Sequence, residues 1–278
     1  MAFSGAELLE DTEFAPVTRG VIARGVAGLG VVAGDVLMVH VRLSALGWVV
    51  GGIDTVVRAL VDVVGAEGTL VAFCGWDDSP YHVAFWPRRW QSAYDELPGF
   101  APEVSSARRD FGRFPERLRT WPGALRSAHP EVSFAALGAQ AGGLLAYAGP
   151  AVEDPWGRDG VLGRLTAAGG KVLMLGAPLK TLTLCHHAEA IAEVRGKRYH
   201  SYRMPVRTAE GDVWREYTTL DTFYGALPYV AGHSVADLAQ QAVAAGAGVV
   251  GRVGPAESWV FDARRTVAAV RAWIEAAF

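Results

Sequence analysis

Residues 184–193, reading LCHHAEAIAE, place one imidazole and two carboxylates at spacings that can do proton chemistry. At roughly 100° per residue, His186, Glu189 and Glu193 fall on one side of a helix, while Leu184, Ala188, Ile191 and Ala192 fall on the other. A histidine in the first turn sits near free backbone N–H groups and the positive end of the helix dipole. That disfavours imidazolium and keeps the ring available as a general base. The same pattern also fits a solvated helix face with an ordinary surface histidine.

Other chemistries fare worse. HExxH is absent, and the adjacent His186 and His187 point about 100° apart on a helix, so they do not readily share a metal ion. Cys185 fails as a nucleophile for His186 on the same ground, and there is no GxSxG elbow. Gly246, Gly248 and Gly251 match GxGxxG, but they follow an expected helix and open a strand, the reverse of a dinucleotide site. Arg126-Ser127-Ala128-His129-Pro130 joins a cation to a hydroxyl and suits either an anionic or carbonyl ligand or a loop-stapling hydrogen-bond network. Asp221 lies far enough along the chain that only tertiary structure can bring it to a histidine.

The elements that must position these groups are legible as periodic runs. Lys171–Leu175 (KVLML) is a short apolar run after a Gly-Gly pair, and it reads as a buried strand. Gly176 breaks it, and Thr181 or Thr183 is the expected N-cap of the His186 helix. In an open α/β sheet, ligands collect at the carboxyl ends of strands, where this loop falls. Residues 18–29 (helix), 35–41 (strand), 53–64 (helix) and 68–73 (strand) make the opening third α, β, α, β. Strands at 132–137, 249–253 and 259–261, helices at 140–147, 161–168, 235–245 and 264–277, and a hairpin over 198–219 complete the expected α/β architecture.

Residues 75–122 differ in character, with Trp76, Trp86, Trp90, Trp121 and several prolines, and only 105–118 reads as helical. A loop of this length in a compact domain usually binds something, and the aromatic content argues against disorder. Asp77, Asp78, Asp95, Glu96 and Glu103 all lie in it and suit a cationic ligand, or simply a solvated surface.

The chain has 278 residues and a formal charge of -3, enough length for a sizeable core and no basic excess for nucleic acid or an anionic membrane. It lacks an apolar stretch of roughly 18 residues, and its first residues are acidic rather than leader-like, so a cytoplasmic protein is expected. The only two cysteines, Cys74 and Cys185, are expected to be free thiols.

Several segments together resemble the aminoglycoside 3-N-acetyltransferase family: VHVRLSALG over 39–47, WDDSPY over 76–81, RSAHP over 126–130, GAPL over 176–179, HHAE over 186–189 (the family's HxAE), and Asp221-Thr222. They come in family order with near-family spacing, from about residue 17 onward. The resemblance implies one α/β domain with a mixed central sheet covered by helices, a deep cleft, and a substrate-binding insertion at about 75–122. It implies acetyl-CoA as cosubstrate, lying along His40 and Arg42-Leu43-Ser44-Ala45-Leu46-Gly47 and along Arg126, Ser127 and His129. It implies His186 as catalytic base in the HxAE match with Glu189, and Asp221 as its acid partner in an ungapped reading. Trp76, Asp77, Tyr81, Asp95, Glu96 and Glu103 are the expected aminoglycoside contacts, with Asp77 foremost. Arg42 stands where the family usually has Ser or Thr, and Thr218 where some members carry a second Glu.

No metal is expected in the chemistry, and the protein is expected to be a monomer or homodimer. The competing readings are an acetyltransferase of the same fold acting on another amine, and a protein that binds cationic sugars without turnover.

Overall fold

A computed structural model describes residues 15–146, 154–227 and 234–277. Three apolar runs form its centre: β1 (Val36–Val41), β2 (Thr69–Phe73) and β5 (Lys171–Leu175). β1 pairs in parallel with both of the others, from Val36 opposite Thr69 to Val41 opposite Leu175. Strands buried on both faces need continuous rather than alternating apolar sequence, which is what these runs supply.

Antiparallel strands extend both flanks: β3 (Leu125–Arg126) and β4 (Phe134–Gly138) beyond β2, then β9 (Ala256–Asp262) and β8 (Gly248–Val253) beyond β5. The order β3-β4-β2-β1-β5-β9-β8 is the mixed sheet that the family resemblance implies.

Helices cover both faces, and the two-residue period of β1 divides its side chains between two cores. Leu37 and Val39 pack with α1 (Arg19–Gly28), α2 (Gly52–Val64) and, beyond the short α3 (Arg88–Gln91), α4 (Arg113–Arg119). Val36 and Met38 belong to the other core, with α5 (Ala141–Leu145), α6 (Val161–Ala167), α7 (Leu184–Ile191), α8 (Val235–Ala244) and α9 (Ala263–Ala277). In α2 the buried Ile53, Val56, Val57, Leu60 and Val64 fall at helical spacing, and burying each of them favours the docked helix by about 1.5–3 kcal/mol.

The hairpin β6 (Tyr199–Thr208) and β7 (Gly211–Leu220) forms a separate sheet. Its Tyr202, Met204 and Tyr217 pack against Trp76, Tyr81 and Phe100 of the long irregular segment, forming a third core. Backbone bonds reinforce the join, since Phe100 N–H donates to Pro205 and Arg207 N–H donates to Phe100, at 2.8 and 2.9 Å.

Two expectations are corrected by tertiary contacts. The helix expected at 105–118 begins only at Arg113, because Ala107 N–H goes to the Glu116 carboxylate and Arg108 N–H to the Cys74 carbonyl, and Gly112 with φ +85° interrupts the rest. The His186 helix ends at Ile191, so Glu193 leaves the expected face, is exposed, and pairs with Arg271 at 3.1 Å. Thr183 holds the expected N-cap position of that helix, though its side chain makes no capping hydrogen bond.

Both cysteines are free and buried, and burial pushes the Cys74 thiol up to about 11. Of the helix expected at 140–147, the last position lies outside the described residues. Among the described residues no helix is long and apolar enough to cross a membrane.

Burial also holds His40 at about 4 and His129 at about 3, well below the ordinary histidine value. Between about pH 6.5 and 4 the unfolded chain therefore takes up protons that the folded chain refuses, so stability present at neutral pH is lost as pH falls through that window. Calorimetry across that range should show a falling melting temperature. His129→Asn, which keeps an acceptor for the Val132 N–H, should flatten part of the slope; an unchanged slope would count against this origin.

Candidate functional site

The site begins where the loops after β1 and β5 meet. Gly176 adopts φ +64°, and a Cβ there would stand 2.7 Å from the Ala45 Cβ, closer than side chains tolerate. Only glycine lets the chain leave β5 against the turn Leu43–Leu46 and then enter α7.

On α7 the His186 Nδ1 lies 2.6 Å from Glu189 Oε2, a bond between residues three apart on one helix face. The two side chains are only 16% and 10% exposed, so this pair is poorly screened by water. A carboxylate on Nδ1 holds the proton there and leaves Nε2 as the lone-pair nitrogen. Trp156 fixes the surroundings of both adjacent histidines. Its ring meets the His186 imidazole edge-on at 5.2 Å, and its carbonyl accepts from the buried His187 Nδ1 at 2.7 Å.

His186 lines a cavity of about 630 Å³. One side comes from the strand ends, with His40, Arg42, Leu43 and Ser44 after β1 and Pro178, Lys180 and Thr183 after β5. The other comes from the long segment and the hairpin, with Tyr81, Arg108, Asp110, Phe111, Thr219 and Phe223. Arg42, Arg108, Arg113 and Lys180 are the lining cations, and Asp110 and Glu131 are the lining carboxylates among the described residues.

Glu131 is mostly buried, accepts from the Ser79 hydroxyl, and lies 3.4 Å from Arg108 Nη1; burial pushes its carboxyl above the ordinary range. His40 Nε2 is buried with no hydrogen-bond partner among the described residues, and burial keeps this ring neutral at pH 7. A cavity with cations at one part, carboxylates and aromatic faces at another, and a histidine–glutamate pair on its wall can take an anionic and a cationic ligand together and move a proton between them.

The chain matches the family model described as aminoglycoside 3-N-acetyltransferase over residues 38–275. The chain belongs to the aminoglycoside 3-N-acetyltransferase family. It is 48% identical over 269 residues to aminoglycoside N(3)-acetyltransferase VIII of Streptomyces fradiae, covering 94% of this chain and 92% of that protein. It superposes on the crystal structure of aminoglycoside acetyltransferase AAC(3)-Xa with a TM-score of 0.90 at 46% identity, covering 97% and 96% of the two chains. It superposes on AAC-IIIb in binary complex with CoASH with a TM-score of 0.85 at 39% identity, covering 95% and 98%.

The cavity gathers some of the expected residues and not others. His186 and Glu189 meet, and His40, Arg42, Leu43, Ser44 and Tyr81 line the cavity. Ala45 lies against Gly176, Leu46 is fully buried, and neither they nor Gly47 line it. Asp221 is buried, but its Oδ1 accepts from the Tyr224 N–H at 2.9 Å, and the carboxylate bonded to the His186 ring is Glu189. Together with burial, which is the larger cause, Asp221 pushes the Tyr81 phenol up.

Arg126, Ser127 and His129 are turned into the fold and do not line the cavity. The Arg126 guanidinium donates to the Gly75 and Ser105 carbonyls and to the Ser133 hydroxyl, the Ser127 hydroxyl accepts from Phe134 N–H, and His129 Nδ1 accepts from Val132 N–H. These bonds tie β3 and β4 to the long segment.

Of the expected acceptor contacts, only Tyr81 lines this cavity. Trp76 is buried beside Phe100. Asp77 takes the Arg109 backbone N–H at 3.0 Å and its guanidinium, in a second concavity. Asp95, Glu96 and Glu103 are exposed and away from the cavity. Sequence reasoning missed Arg108, Asp110, Glu131, Lys180 and Trp156. Glu131 directly follows RSAHP and could have been noticed there; nothing in the sequence marks Trp156.

Arg126→Ala should therefore cost about 2–4 kcal/mol of folding stability, because the Ser105 carbonyl loses its side-chain donor and the guanidinium no longer packs over Phe100. The KM for acetyl-CoA should stay within about twofold of wild type. Denaturant melts paired with steady-state kinetics would show the opposite pattern if the guanidinium held the coenzyme.

Proposed function

We propose that this protein transfers acetyl from acetyl-CoA directly to the 3-amino group of the 2-deoxystreptamine ring of an aminoglycoside, with His186 as general base. The observation that carries the reading is the 2.6 Å bond from His186 Nδ1 to Glu189 at the wall of the cavity where the loops after β1 and β5 meet the long segment. Family membership supports the substrates, and Arg42, Arg113 and Lys180 suit the phosphates of acetyl-CoA.

An amine that is largely protonated in water must lose a proton before it attacks the thioester carbonyl. His186 Nε2 accepts that proton, and Glu189 holds the tautomer and stabilises the imidazolium that forms. Attack makes the carbonyl oxygen negative, and Ser44 with the N–H groups of its turn is the donor set on that wall. Expulsion of the thiolate completes transfer without an acyl-enzyme, since Cys185 is buried with its thiol pushed far up. The setting we propose is the cytoplasm, and the consequence is aminoglycoside resistance.

Thiol release from acetyl-CoA with a panel of aminoglycosides, and the acetylated position read by NMR, tests this. Turnover on none of them, or acetylation elsewhere than the 3-amino group, would sink the proposal. His186→Ala should lower kcat by about 10² or more with an unchanged melting temperature. Glu189→Gln should cost more kcat than Asp221→Asn; the reverse ranking would restore Asp221 as the partner of the base.

A further inference from the structure

The two carboxylates that line the cavity are already held by a cation of this chain. The Arg108 Nε and Nη2 donate to the two oxygens of Asp110 at 3.0 and 2.8 Å, a bidentate pair, and Nη1 reaches Glu131 at the longer distance of 3.4 Å. The guanidinium lies over the Phe111 ring at 5.0 Å and is 21% exposed. A wall suited to ammonium groups thus carries a built-in occupant.

We infer that Arg108 is a resident counter-cation that sets acceptor specificity. It stays on Asp110 and gives up Glu131 when an acceptor ammonium arrives, so the acceptor must outcompete a guanidinium. The inference rests on the aminoglycoside reading above and adds to it. The asymmetry of the distances decides which contact yields. Bidentate contacts at 3.0 and 2.8 Å are stronger than one at 3.4 Å, and Glu131 keeps the Ser79 hydroxyl as a second partner.

Competition of this kind has a cost that depends on acceptor charge. An acceptor with one or two ammonium groups gains little from exchanging one cation for another. One with five or six has several groups that can compete for the same carboxylate, which favours the exchange. Arg108 would then discriminate against small amines while tolerating polycationic sugars.

The charge balance predicts opposite effects from two variants. Arg108→Gln leaves Asp110 and Glu131 without their internal cation, so the acceptor KM should fall by about threefold or more, most for the most highly charged acceptor, with steeper salt dependence. Asp110→Asn frees the guanidinium to close on Glu131, so the acceptor KM should rise by a similar factor. The acetyl-CoA KM should hardly move in either.

The experiment is steady-state kinetics with aminoglycosides of different ammonium number, accompanied by calorimetric titration of each acceptor into the protein with CoA present. Asp110 is 60% exposed, so its variant folds even where Arg108→Gln does not, and a lowered or unchanged acceptor KM in Asp110→Asn alone overturns the inference. A raised or unchanged acceptor KM in a folded Arg108→Gln overturns it too, and a raised acetyl-CoA KM would assign Arg108 to the coenzyme instead. Wild type that binds and acetylates no aminoglycoside would remove the functional reading itself, which is a separate result.

Discussion

The approach of Gly176 to Ala45 is the contact on which the site depends. Parallel pairing of β1 with β5 brings the carboxyl ends of both strands to one edge of the sheet, and the two departing loops must then pass within a side chain's width of each other. The 2.7 Å that a Cβ at Gly176 would have to its neighbour leaves room for hydrogen only. With that clearance, α7 starts beside the turn after β1, and His186 faces the same cavity as Ser44 and Arg42. Any larger residue would push apart the two loops that carry His186 and Ser44.

Around that junction the protein separates rigid support from chemistry by burial. The histidine–glutamate pair is compact and local, fixed by helix geometry and by the single tryptophan that touches one imidazole with its ring and the next with its carbonyl. The RSAHP segment works at a distance from it, stitching the edge strands to the long irregular segment through buried hydrogen bonds. That long segment in turn leans on the β6–β7 hairpin through the aromatic core of Trp76, Tyr81, Phe100, Tyr202 and Tyr217. The side of the cavity that it builds therefore rests on an aromatic core of its own as well as on the central sheet, through Phe111 against Phe73 and the Arg126 bonds.

Arg42 and Lys180 line the side built from strand ends, Arg113 and Asp110 come from the long segment and Glu131 from the loop between β3 and β4, and the two carboxylates are compensated within the fold by Arg108. Most other acidic residues of the long segment are exposed, where water and salt screen them, and Asp77 is committed to Arg109.

What the sequence alone determined is what depends on neighbours along the chain. The apolar runs of β1, β2 and β5 disclosed the buried parallel strands, and the spacing of His186 and Glu189 put them on one helix face, because helical and extended periods are local properties. The motif order disclosed the family. Tertiary structure alone decided the partners that meet across long separations. It gave Asp221 to the Tyr224 backbone, turned Arg126, Ser127 and His129 inward, and brought Glu131, Asp110 and Trp156 to the cavity. The physical reason is that each buried polar group takes the partner that folding brings within about 3 Å, and no spacing along a chain of 278 residues records that distance.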